Sequence, residues 1–287
     1  MSGVLFGNLE FFPYLCIRNM IKTMNYLVSR TYRYVLSLAM LLGLSALAYA
    51  SGSDAPSGLD AKSFKKYWHV ESESPDYKVT FSGDTAEIFA PKGLTLWRNE
   101  KMSGNTTIEY DACISDTGKE GDRLSDLNCF WMASDPKFPA DIRKRAAWRK
   151  GIFVNCYSLQ LYYLGFGGNH NSTTRFRRYD GNEAGVNDVN ARPKILKEYT
   201  DKAHLLEPNK WYHIKITNDN GRVQYFINGE RLVDFLDPSP LTEGWFGFRT
   251  TAARARIANF SFTCTKPQPA DVPLHRVGAA PSSQRGA

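Results

Sequence analysis

Hydrophobic and polar positions alternate with a period of two along most of this chain, and helical periodicity is scarce. In 211–217 (WYHIKIT), Tyr212, Ile214 and Ile216 fall on one side and His213, Lys215 and Thr217 on the other, as in a half-buried strand. Asn218-Asp219-Asn220-Gly221 marks a turn, after which Val223, Tyr225 and Ile227 alternate with Gln224 and Phe226. Asn228-Gly229 turns the chain again into 232–236, and 244–250 (GWFGFRT) and 254–263 (RARIANFSFT) follow. In the last of these Ile257 is out of phase with Phe260 and Phe262, which predicts a bulge near Ala258. Upstream, 85–89, 95–97, 106–114, 128–133 and 152–166 are also strand-like. One stretch differs: 139–150 (PADIRKRAAWRK) starts on a proline and stops at Gly151, and it predicts a helix.

Many short strands separated by turn signals predict an all-β fold, a two-sheet antiparallel β-sandwich or jelly roll with a short helical insertion. The chain has 287 residues, of which 13% are aromatic, and a net charge of +7. That charge lies largely at the ends: +3 on 1–50 and +2 on 266–287, leaving +2 on 51–265. A near-neutral middle argues against a nucleic-acid partner. The first fifty residues read as an export signal. Arg30 and Arg33 precede an uncharged apolar run at 35–48, and Ala48-Tyr49-Ala50 supplies a small–x–small cleavage pattern. Translation is expected to start at Met20 or Met24. The membrane is then a partner only during export, and the expected location is periplasmic or extracellular. A Gly/Ser/Pro-rich linker spans 51–63, one jelly-roll domain spans 64–265, and a proline-rich disordered tail spans 266–287.

Three segments carry a resemblance. Asn209–Ile216 in one-letter form NKWYHIKI, then VQYFING at 223–229 and GWFGFR at 244–249, resemble the second half of a concanavalin A/laminin-G-like jelly roll. The stretches 93–97 and 105–111 fit the first half. GFGGNHN at 165–171 and RFRRY at 175–179 resemble an exported, Bacteroidetes-type family of unassigned function. That family is similar to jelly-roll proteins encoded among pectin- and rhamnogalacturonan-degradation genes. The resemblance implies the sandwich and an acidic polysaccharide or oligosaccharide partner, but the architecture hosts lectins, hydrolases and lyases alike.

The most unusual segment is 162–180 (YYLGFGGNHNSTTRFRRYD). It leaves a tyrosine-rich strand, passes three glycines, presents Asn169-His170-Asn171 and returns through arginines to Tyr179. Histidine supplies a base near neutral pH, arginine forks match carboxylates, and tyrosine supplies a proton. These are the parts that β-elimination of a uronate-containing glycan requires. Alternation puts Arg175, Arg177 and Tyr179 on one face and Phe176 and Arg178 on the other. The expected catalytic residues are His170 as base and Tyr179 or Tyr163 as proton donor. The expected substrate-binding residues are Arg175 and Arg177 as carboxylate clamp, with Asn169, Asn171, Trp131 and Arg149. Trp131 would stack on sugar and Arg149 would belong to a basic helical rim.

Two rival functions stand beside the lyase. One is a non-catalytic carbohydrate-binding module. The other is a glycosidase related to 3-keto-disaccharide hydrolase domains, which needs a metal or a carboxylate beside His170. No cofactor is expected. No zinc-ligand spacing is present, and a structural calcium ion is left open; Asp126 could bind substrate or calcium, or serve a turn before the strand at Asn128. The cysteines Cys113, Cys129, Cys156 and Cys264 suit disulfides or buried thiols equally.

Overall fold

The alternating segments form thirteen strands in a computed structural model that describes residues 57–119 and 121–266. The expected signal segment and nearly all of the expected tail lie outside the described residues. In chain order the strands are β1 (Trp68–Ser72), β2 (Lys78–Ser82), β3 (Thr85–Arg98), β4 (Met102–Ser103), β5 (Asn105–Ser115) and β6 (Leu127–Ser134). They continue with β7 (Gln160–Gly167), β8 (Thr173–Asp180), β9 (Ile195–Tyr199), β10 (Tyr212–Asp219), β11 (Arg222–Ile227), β12 (Glu230–Leu236) and β13 (Glu243–Thr265). The fold is all-β and antiparallel.

Two long strands, β3 and β13, run through both layers of a sandwich. The first part of β13 pairs with β6, and its second part pairs with β5. β3 accompanies it on the other side through both parts, with a register shift between Thr251 and Ala253 where Ala252 takes φ +48°. One layer therefore runs β12-β11-β10-β5 into the second part of β13, and the other runs β9-β8-β7-β6 into its first part. A second shift lies between Ala258 and Ser261, at Asn259 with φ +53°, where the change of phase predicts a bulge.

The inner faces meet through large side chains. Ile214, Ile216 and Tyr225 pack opposite Trp131, Tyr162, Leu164 and Phe176, all buried. The rings of Trp131 and Tyr225 are 6.1 Å apart across the layers, and those of Phe166 and Tyr212 are 4.9 Å apart. Each such side chain contributes about 1.5–3 kcal/mol by leaving water. Trp131 is therefore a core residue and not the sugar platform expected of it: it is fully buried, and its indole Nε1 donates to Asn218 Oδ1 at 3.0 Å.

The opposite phase of the β6–β7–β8 layer builds a second apolar cluster on its outer face. Phe130, Tyr163 and Tyr179 there meet Trp97, Ile142, Cys156, Tyr157 and Leu159. The last four belong to the segment between β6 and β7, which lies over the sheet as a strap. Its helix is shorter than 139–150 predicts: a 3-10 turn at Ile142–Arg145, capped by the Asp141 carboxylate, and one α turn at Ala146–Arg149. Lys150 and Gly151 then take left-handed conformations, and a Cβ on Gly151 would strike the Gly93 carbonyl. The strand expected from 152 starts only at Gln160, because Phe153–Ser158 is a 3-10 helix that plugs this cluster.

Arg149 does not reach the surface as the basic-rim expectation requires. Its side chain is buried and donates to both Glu71 oxygens, to Asp135 and to the Ile142 carbonyl. Burial holds the Glu71 carboxyl above its ordinary range, against the pull of Arg149. The four cysteines among the described residues are free thiols, three of them buried and Cys264 exposed.

Candidate functional site

Beyond the edge of the strap the outer face of β6–β7–β8 is uncovered, and a cavity of about 340 Å³ opens there. Its wall is aromatic, from Phe153, Tyr157 and Tyr163. Arg175 and Arg177 stand on β8, Asn128 on β6, and Asn169 and His170 on the turn between β7 and β8. Arg123 and Asp126, from the segment before β6, close one side with Thr251 of β13. Alternation explains the placement: Arg175 and Arg177 share the outward phase, while Phe176 goes into the sandwich core. Arg178, on the inward phase, is held at the periphery by Asp237 and Ser239.

The β7–β8 turn is the most strained backbone in this face. Asn169, His170 and Asn171 are three successive residues in the left-handed region, with φ of +51°, +58° and +58°. Each costs about 1–2 kcal/mol for an ordinary residue, less for asparagine. The compensation comes from Asn171, whose side chain accepts from Leu206 N at 2.8 Å and donates to Leu206 O at 2.9 Å. Ser172 Oγ also closes on the Asn169 carbonyl. Asn171 is thus a pin for the turn and does not line the cavity, in contrast to the substrate-binding role expected of it. Asn169 and His170 are exposed at the rim.

Arg123 is the hub that the sequence reading missed. Its Nη2 donates to Asp126 Oδ2 and to the Thr251 carbonyl, each at 2.6 Å. Its Nη1 lies 3.3 Å from His170 Nδ1. A guanidinium only donates, so Nδ1 presents a lone pair and the ring proton sits on Nε2. Asp126, with φ +64°, also accepts from Ser125 Oγ and Asn128 Nδ2, so both its carboxylate oxygens are engaged. Asp126 and His170 are linked through Arg123 and do not touch directly.

Each arginine on β8 has a different partner. Arg175 is directly opposite Glu198 of β9, and its Nε donates to Glu198 Oε1 at 2.5 Å. Arg177 is half-buried and has no carboxylate partner among the described residues; its Nη1 donates to the Pro193 carbonyl at 3.0 Å, and its Nε is buried without a partner. Tyr163 lies against the cavity floor with its hydroxyl over Gly165, where any side chain would collide with it. Burial raises the phenol's pKa well above its ordinary range. Tyr179 is separated from the cavity. It is fully buried beneath Tyr157 and Tyr163, with ring centroids 5.3 and 5.8 Å away, and its hydroxyl has no partner among the described residues. The proton-donor role expected of Tyr179 has no access to a ligand here.

A second residue without a sequence signal in the turn is Arg249. It is buried behind the cavity, donates to the Gly151 carbonyl and to Thr251 Oγ1, and holds its guanidinium 5.6 Å from the Phe153 ring. The signal available was an arginine ending an otherwise apolar strand phase, Trp245–Gly247–Arg249. Among the described residues no three His, Cys, Asp or Glu side chains are grouped to hold a metal ion.

No curated protein matches the chain. A crystal structure of a Bacillus subtilis protein of unknown function with a galectin-like fold is similar, with a TM-score of 0.57 and 18% identity over 76% of this chain and 98% of that one. A carbohydrate-binding module, CBM66, also from Bacillus subtilis, is similar at a TM-score of 0.45 and 17% identity, over 68% of this chain and 94% of that one. At such identities the likeness concerns the fold alone. The family model of a domain of unknown function, DUF6250, matches residues 88–260, and the chain belongs to that family.

Proposed function

We propose that this chain is an exported carbohydrate-active protein whose β6–β7–β8 cavity binds a carboxylate-bearing saccharide. The observation that carries the reading is Arg177: a half-buried cation on the cavity lining, bonded to a carbonyl and to no described carboxylate. A partly desolvated cation without a counter-charge favours an anion in the cavity. Tyr157 and Phe153 offer apolar ring faces, and Asn128, Asn169 and Thr173 offer polar groups for hydroxyls. Periplasmic or extracellular export is part of the proposal and rests on the charge and apolar run of 30–50. No helix among the described residues is long and apolar enough to cross a membrane.

Binding is favoured over β-elimination by one feature of the site. A base at His170 needs a free ring nitrogen, yet Nδ1 faces Arg123 and Nε2 carries the proton. The residues are arranged to hold an acidic sugar and donate to it. Calorimetric titration with trigalacturonate and with neutral xylotriose tests the reading. Arg177→Ala is expected to weaken trigalacturonate about tenfold or more, the scale of a hydrogen bond to a charged group, and to leave xylotriose unchanged. Equal affinity of wild type for both sugars would overturn it. Ultraviolet absorbance from an unsaturated product, lost in His170→Ala, would restore the lyase reading.

A further inference from the structure

We propose that Glu198 is a specificity-determining residue, a tethered carboxylate that occupies Arg175 and leaves the cavity one cationic anchor; this rests on the acidic-saccharide reading above. Three arginines line the cavity. Arg123 is bonded to Asp126 and Arg175 to Glu198, while among the described residues Arg177 bonds to the Pro193 carbonyl and to no carboxylate. Two of the three positive charges are therefore already answered by the protein's own carboxylates. The two internal pairs differ in how firmly they are built. Asp126 is held by Arg123, Ser125 and Asn128 together. Among the described residues Glu198 has one side-chain partner; it stands on β9 at the edge of the sheet and is about a third exposed, as Arg175 is about a quarter. A pair so open to solvent is weakly held and exchanges its carboxylate for another of the same geometry.

The consequence is a limit on ligand charge. A saccharide with one carboxylate engages Arg177 without disturbing the site. A second carboxylate within reach of Arg175 competes with Glu198, which is permanently present at the high local concentration of a tethered group. Glu198 thus lowers the affinity gain that a contiguous polyuronate would otherwise draw from a second arginine.

Glu198→Gln keeps an acceptor for Arg175 Nε and removes the charge. The expected result is a three- to tenfold gain in affinity for trigalacturonate with a steeper salt dependence, and a smaller gain for monomeric galacturonate. Xylotriose should not respond. Asp84→Asn, an exposed turn residue between β2 and β3, carries the same change in net charge and should give no gain. The double variant Glu198→Gln/Arg175→Gln should lose the gain. Should the wild type bind trigalacturonate and Glu198→Gln bind it equally, the inference is wrong and the acidic-saccharide reading stands. Should neither protein bind, both are wrong. Binding by Glu198→Gln alone supports the inference, because the internal carboxylate then masks the site in the wild type. Thermal melting of each variant separates these outcomes from unfolding of the edge strand.

Discussion

Asn171 shows how a side chain of the right chemical type can serve the backbone instead of a ligand. Its amide spans Leu206 N and O, and this holds three consecutive left-handed residues that put His170 beside Arg123. Asn171→Ala removes both bonds and the asparagine preference for that conformation, so a loss of about 2 kcal/mol is expected in urea denaturation. Asn171→Gly should recover the backbone part only. Equal stability of wild type and Asn171→Ala would show that the turn needs no pin. The phase of Arg175 and Arg177 was legible in the alternation, because a strand sends every second residue to one face. The fates of Asn171 and Tyr179 were not. Alternation tells which face a residue takes but not what lies over that face: Tyr179 shares the phase of Arg177, yet it lies under the strap.

The strap between β6 and β7 is the element that decides where the cavity begins, and an ion network holds it. Arg149 runs from the α turn into the interior, between Glu71 of β1 and Asp135 beyond β6. Removing the cation would strip buried Glu71 of its guanidinium partner and leave buried Asp135 with Arg145 alone, 3.5 Å away. Arg149→Met is expected to cost about 3–5 kcal/mol, measured by chemical denaturation. A loss below about 1 kcal/mol would mean that the apolar cluster of Trp97, Phe130 and Tyr157 suffices to seat the strap. From sequence the five cations Arg143, Lys144, Arg145, Arg149 and Lys150 look alike, and a solvated basic helix is the economical reading. What distinguishes Arg149 is the distant Glu71, 78 residues upstream, and no local pattern contains that pairing. The same limit hides the link from Arg123 to His170 and Thr251 and that from Arg249 to Gly151, all of them distant in sequence.

At the scale of the whole molecule, the sandwich was legible because period-two alternation directly reports strands with one buried face. The passage of β3 and β13 through both layers was not, since alternation says nothing about which strand pairs with which. That layering also settles what cysteine counting left open. Cys113, Cys129 and Cys156 are fully buried, none with a disulfide partner among the described residues, and Cys264 is exposed near the end of β13. Burial pushes the Cys129 and Cys156 thiols up to about 12, so at neutral pH almost none of either is the reactive thiolate. Among these four, only Cys264 should be alkylated by iodoacetamide in the native protein, as read by peptide mapping, and all four should react in urea. The fold itself, rather than a reducing compartment, then protects three of the thiols, and the prediction holds for material recovered from an oxidising one. A disulfide that includes Cys129 would require a register other than the one that buries it between Tyr110 and Tyr225, and would overturn this arrangement of the core.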